Sequence, residues 1–128
     1  MASNLINILF VGAGSCLGGV SRYLLGKFLG YFWPDSFPWG TFIINIIGCF
    51  ILGMIYGSLD KGYYMSSGLK LFLTVGFCGG FTTFSTFIHE NFQLLQQGLP
   101  IQFTIYSAAS FAVGLLFLYM GYHITRLI

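Results

Sequence analysis

The sequence predicts an all-α integral membrane protein of four transmembrane helices, and two observations carry that prediction. Of the 128 residues, 56% are hydrophobic and only 6% are charged, whereas a soluble domain normally carries about 25% charged residues. Four apolar segments follow one another: Leu5 to Phe28, Trp39 to Leu59, Leu69 to Phe92 and Pro100 to Thr125. Each is close to the ~20 residues that carry a helix across a ~30 Å hydrocarbon core. Only short loops are left between them, so residues 1–128 are read as a single four-helix transmembrane domain.

The first segment starts almost at Met1 with no basic stretch before it. It runs past the length of a signal sequence without an evident cleavage site, which predicts a retained helix. Gly12, Ser15, Gly19, Arg22 and Gly26 form a stripe at helical spacing, as expected of a seam where helices approach closely in lipid. Arg22, near the far end, either snorkels to the headgroups or makes a vestibule attractive to anions. The loop Gly30 to Trp39 combines turn formers with Tyr31, Trp33 and Trp39, residues that favour the headgroup level. In the second segment the stripe is Thr41, Asn45, Cys49, Gly53 and Gly57. An amide at the depth of Asn45 is costly unless it is hydrogen-bonded. It is either glue between helices or a donor of its NH₂ group to a passing anion. A turn with Asp60, Lys61 and Gly62 follows.

The third segment is the most informative. Gly79-Gly80 followed by Thr82-Thr83 is poor material for an unbroken helix and predicts a break there; the alternative is a continuous helix with a close-packed glycine. Broken backbone is tolerated at membrane depth only inside protein or along a water-filled cavity, and freed carbonyls can bind a cation. Phe84 and Phe87 lie three apart and share a face. Their positive ring edges can attract an anion, or the rings simply pack. His89 and Glu90 are read as interfacial, because polar residues resume at Asn91 and Gln93. After the turn Gln96, Gln97 and Gly98, Pro100 starts the fourth helix. There Tyr106, Ser110 and Gly114 recur every four residues with Ser107 beside them. They make either a hydroxyl track along a pore or a seam between helices.

Other classes are disfavoured. The net charge of +2 comes from scattered basic residues, which leaves a nucleic acid no electrostatic footprint. Cys16, Cys49 and Cys78 have neither paired spacing nor nearby His ligands, so neither a disulfide nor a metal site is expected. No acidic residue lies in the middle of a span, where proton-coupled transporters carry carboxylates, and no catalytic pattern points to an enzyme. One side of the membrane would carry Lys61, Lys70 and Arg126, the other Arg22 and Lys27. Such a weak bias leaves orientation poorly specified. Either the chain inserts both ways and pairs with an inverted copy, or other cues orient it. An antiparallel homodimer would build the inverted repeat common among transporters.

Three stretches resemble a known family: Gly18-Gly19-Val20-Ser21-Arg22-Tyr23, Gly40 to Gly48 around Asn45, and Gly79-Gly80-Phe81-Thr82-Thr83-Phe84-Ser85-Thr86-Phe87. They are similar to the signature segments of the Fluc (CrcB) fluoride channels, and the third is highly specific. The resemblance implies an antiparallel, dual-topology homodimer with two pores in the cell (inner) membrane. It implies passive, fluoride-selective export that lowers fluoride toxicity. Phe84 and Phe87 would line the pore and Asn45 would contribute a donor. Tyr106 and Ser110 match the family's hydroxyl track, whereas Gly114 stands where a further hydroxyl is expected. Thr41, Ser85, Thr86 and Arg22 complete the expected anion-handling set. The backbone carbonyls of Gly79 and Thr82, from both subunits, would hold a structural sodium ion (Na+) at the dimer interface. Two competing readings are a small dual-topology exporter, which would need an intramembrane carboxylate, and a non-transporting membrane scaffold.

Overall fold

The computed structural model describes residues 2–33 and 37–128. Pro34, Asp35 and Ser36, in the middle of the predicted interfacial loop, lie outside the described residues, as does Met1. Helix α1 spans Ala2–Gly30 and α2 spans Trp39–Lys61. The third span, Ser67–Gln96, is interrupted. It consists of α3 (Ser67–Leu71), a π-helical stretch (Phe72–Cys78), α4 (Gly79–Phe81) and α5 (Ser85–Gln96); α6 (Pro100–Leu127) completes the chain. The described residues are all-helical, with four helical spans long and apolar enough to cross a membrane. The chain is a multi-pass membrane protein.

Local chemistry fixes the ends. Gly62 (φ 109°) closes α2, with Tyr63 donating to the Ser58 carbonyl at 3.2 Å and Gly62 to Leu59 at 3.1 Å, a Schellman arrangement that satisfies terminal carbonyls. Gly98 (φ 72°) closes α5 in the same way, with Leu99 donating to Leu94 at 2.9 Å. Pro100 then occupies the first turn of α6, where its missing N–H costs nothing. At the ends of α2 and α6, the Tyr122 hydroxyl donates to Asp60 at 2.6 Å and accepts from Arg126 at 2.9 Å.

Packing inverts the soluble pattern. Large apolar residues such as Leu5, Ile8, Leu9, Phe111 and Leu115 are exposed, as suits a surface solvated by lipid, and many buried positions are glycine. Helix α1 packs on the third span and α2 on α6. Gly14 and Gly18 lie against the backbone of Phe72, Phe77 and Phe81, while Gly80 approaches Ser15 so closely that a Cβ would sit 2.8 Å from its carbonyl oxygen. Lipid gives helices no hydrophobic reason to associate, so such backbone approach supplies the attraction. The seam on α1 thus takes in Gly14 and Gly18 beside Ser15 of the expected stripe, while a Cβ added at Gly12 or Gly19 of that stripe would meet open space.

The third span breaks within the predicted stretch, at its first threonine. Gly79 is helical (φ −64°, ψ −37°), and the chain turns extended at Thr82 (φ −85°, ψ 161°). Gly80 serves close packing on α1, not the break. Thr82 ends the helix by sending both its N–H (3.0 Å) and its hydroxyl (2.8 Å) to the Cys78 carbonyl. Beneath the break, Phe81 packs with Leu29 and Ile44 in a small buried cluster.

Candidate functional site

Breaking the helix frees five carbonyls, Gly79 to Thr83, since none of them accepts a backbone amide before the ladder resumes with Ile88 donating to Phe84. Side chains take over part of the ladder. The Asn45 amide reproduces a backbone pair: its Nδ2 donates to the Thr83 carbonyl at 3.0 Å and its Oδ1 accepts the Thr83 N–H at 2.9 Å. The Thr83 hydroxyl accepts the Thr86 N–H at 3.3 Å, and Arg22 Nε donates to the Gly80 carbonyl at 3.3 Å. Thr83 and Thr86 are the residues whose amides would have closed a helical turn on Gly79 and Thr82. Both amides are diverted to side-chain oxygens. Gly79 and Thr82 border a common cavity, whereas Phe81 does not.

That cavity, of about 600 Å³, is also lined by Asn45, Cys49, Phe84, Phe87 and Ser110. A second cavity, of about 530 Å³, is lined by Arg22, Lys27, Thr41, Phe37 and Glu90. Thr83 borders both, and Asn45 and Thr41, one turn apart on α2, face one each. The Asn45–Thr83 pair therefore stands at the boundary between the two spaces.

Glu90, which the sequence did not single out as a site residue, is tied inward: its carboxylate accepts the Thr41 hydroxyl at 2.8 Å and the Tyr106 hydroxyl at 2.9 Å, and it borders the second cavity. The available signal was its position three residues after Phe87, on the same helical face. Asn91, also read as resuming polarity, is buried; it accepts from Ser107 at 3.0 Å and donates to the Phe87 carbonyl at 3.0 Å.

The other predicted residues divide. The Phe84 and Phe87 rings stand 6.1 Å apart, and Phe87 lies 4.9 Å from the Tyr106 ring. Phe84 is 74% exposed while Tyr106 is wholly buried. The Ser110 hydroxyl oxygen is buried at the first cavity without a hydrogen-bond partner. Gly114 faces Cys49, whose sulfur would lie 3.5 Å from a Cβ added there. Thus a thiol, not a hydroxyl, stands beside that step of the track. Ser85 and Thr86 border neither cavity; Thr86 contributes its backbone amide to the break.

Comparison with known proteins gives a consistent picture. Residues 9–122 match the family described as "CrcB-like protein, Camphor Resistance (CrcB)". A protein of Phocaeicola vulgatus named fluoride-specific ion channel FluC is 42% identical over 114 residues, covering 89% of this chain and 92% of the relative. Proteins of the same name from Flavobacterium psychrophilum and Prosthecochloris aestuarii are 39% and 40% identical over 119 residues, each covering 93% of this chain and respectively 96% and 92% of the relative.

Proposed function

This chain belongs to the CrcB family, and from that premise we propose that it is a fluoride-selective channel, not an enzyme, through which the anion leaves the cytoplasm passively. The observation that carries the proposal is the first cavity, where the Phe84 and Phe87 rings, the Asn45 amide and the unpartnered Ser110 hydroxyl meet. Ring edges and uncommitted N–H and O–H protons attract a small anion. Asn45 spends one of its two N–H groups on Thr83 and has a second available. Thr41 and Tyr106 already give their hydroxyl protons to Glu90, so an anion reaching them competes with that carboxylate. Arg22 and Lys27 at the second cavity draw anions toward its mouth.

Neutral hydrogen fluoride crosses the inner membrane, dissociates in a less acidic cytoplasm and is trapped as the anion. An inside-negative potential drives fluoride out through a passive pore by ~2.3 kcal/mol per 100 mV, which lowers its toxicity.

The functional unit in this reading is an antiparallel homodimer. The near-equal basic counts on the two sides support it, as does the exposure of Gly79 and Phe84 along the open cavity. The break fits a structural sodium ion: Gly79 and Thr82 present carbonyls whose helical amides are diverted elsewhere. Oxygen donors suit a small hard cation, and these two carbonyls from each subunit would hold it. A bound cation would compensate the dipoles of carbonyls that lipid cannot solvate.

Purified protein in proteoliposomes should release fluoride and hold back chloride under the same gradient; comparable chloride release would sink the proposal. Glu90 favours one second reading, a proton-coupled small exporter, because it supplies a carboxylate within a span. Fluoride efflux that is unchanged by collapsing the proton gradient excludes that reading.

A further inference from the structure

Arg22 lies in α1 and was read from sequence as an anchor or an attractor of anions, yet its guanidinium is not free. Its Nε donates to the Gly80 carbonyl at 3.3 Å, across 58 residues of chain. Among the described residues this is the one hydrogen bond it makes, and the side chain also borders the second cavity. Charged side chains within a span pair with one another or with backbone carbonyls; Glu90, on the same cavity, is bonded to Thr41 and Tyr106, and Arg22 takes a carbonyl. Here the carbonyl belongs to the last turn before the break, where Gly79, one residue earlier, has lost its helical amide partner and borders the first cavity.

We propose that Arg22 is a positioning residue for the cation-binding carbonyls: its Nε–H fixes the Gly80 peptide and, through it, the direction of the Gly79 carbonyl. Asn45 does the same from the other side by fixing Thr83, the residue after Thr82. Side chains from α1 and α2 thereby grip the residue that follows each of the two carbonyls, Gly80 after Gly79 and Thr83 after Thr82, and the two oxygens hold their aim without a helical ladder. The inference rests on the sodium reading above and adds to it a residue that does not touch the ion. It also separates two properties of Arg22, the charge facing the second cavity and the hydrogen bond gripping the break.

Two substitutions pull these properties apart. In Arg22→Gln, the amide nitrogen falls where Nε lies, so a donor remains and the charge is lost. In Arg22→Lys, the charge remains and a methylene occupies the Nε position. The readout is the thermal unfolding midpoint of the purified, detergent-solubilised protein, titrated with sodium chloride against N-methylglucamine chloride at constant ionic strength. Wild type and Arg22→Gln should show the same saturable stabilisation, while Arg22→Lys should need roughly tenfold more sodium, the scale of one lost charge-assisted hydrogen bond. If Arg22→Lys fails to assemble while Arg22→Gln titrates like wild type, the hydrogen bond is again the discriminating property. A wild-type sodium dependence that Arg22→Lys leaves unchanged, or that Arg22→Gln shifts as far as Arg22→Lys, overturns the positioning role alone. A wild-type curve flat in sodium overturns the cation reading together with it.

Discussion

Asn45 and Thr83 exchange two hydrogen bonds, of 3.0 and 2.9 Å, so that one side chain on α2 replaces the helical partners of a peptide in the broken third span. This relationship makes Asn45 structural first, whatever its spare N–H contributes to an anion. Asn45→Leu should therefore reduce stability and fluoride flux together, because it strands a peptide N–H and a C=O at about 1–3 kcal/mol each. Thermal unfolding and efflux measured on one preparation test this. A variant as stable as wild type that conducts fully would contradict the double role.

The carboxylate gripped by two hydroxyls yields a coupling test. Thr41→Val and Tyr106→Phe each remove one donor from Glu90, and each leaves a partly buried carboxylate oxygen unsatisfied. Because both act on one group, their effects on stability should be non-additive by about 0.5–3 kcal/mol. A double-mutant cycle read by thermal unfolding checks it, and strictly additive losses would show that the two contacts are independent.

Much of this site was legible from residue type and spacing, and the failures share a physical origin. Asn45, Phe87 and Ser110 border one cavity because an amide, an aromatic ring and a hydroxyl within apolar spans need protein partners. The partners of Glu90 were not legible because polarity beside a loop says nothing of Thr41 and Tyr106, which reach it from two other helices. The break was expected across Gly79-Gly80 and Thr82-Thr83 and occurs at Thr82. Glycine's low helix propensity says where a helix is weak, and the threonine side chain decides where it stops. The α1 seam takes in Gly14 and Gly18 as well as Ser15 of the expected stripe, because helical spacing alone does not say which glycine face meets a neighbour.

The aromatic pair should separate by its surroundings. Phe84 is largely exposed along the cavity, whereas Phe87 packs on Tyr106. Phe84→Ile should cut fluoride efflux with little change in unfolding temperature, since an aliphatic side chain lacks the positive ring edge. Phe87→Ile should lower both. Wild-type efflux in both variants would remove the rings from the conduction path.

Dual insertion has its own test. In a background lacking Cys16, Cys49 and Cys78, a single terminal cysteine should react with impermeant reagents on both sides of the membrane in comparable amounts. Adding two or three Lys to one loop should bias orientation, and co-expression with an oppositely biased copy should restore efflux. Labelling confined to one side would refute it.

Gly79 offers the sharpest separation between what the chain needs and what the assembly needs. Gly79 is helical, and an added Cβ would approach nothing nearer than the Thr74 carbonyl oxygen at 3.8 Å. Replacing glycine in a helix interior by alanine is worth up to ~1 kcal/mol in favour of the helix, so the isolated fold tolerates or welcomes a side chain there. Gly80 is the control, since a Cβ would meet the Ser15 carbonyl oxygen at 2.8 Å, a backbone atom that cannot swing aside. Gly80→Ala should therefore destabilise the chain itself, by forcing α1 and the third span apart. Gly79→Leu should leave helical content and monomer folding intact while abolishing dimerisation, sodium-dependent stabilisation and fluoride efflux together. A partner's break and a shared cation would leave no room for the new side chain. Size-exclusion chromatography with cross-linking distinguishes the two variants. A Gly79→Leu protein that remains dimeric and conducts like wild type would show that this carbonyl does not face a second copy.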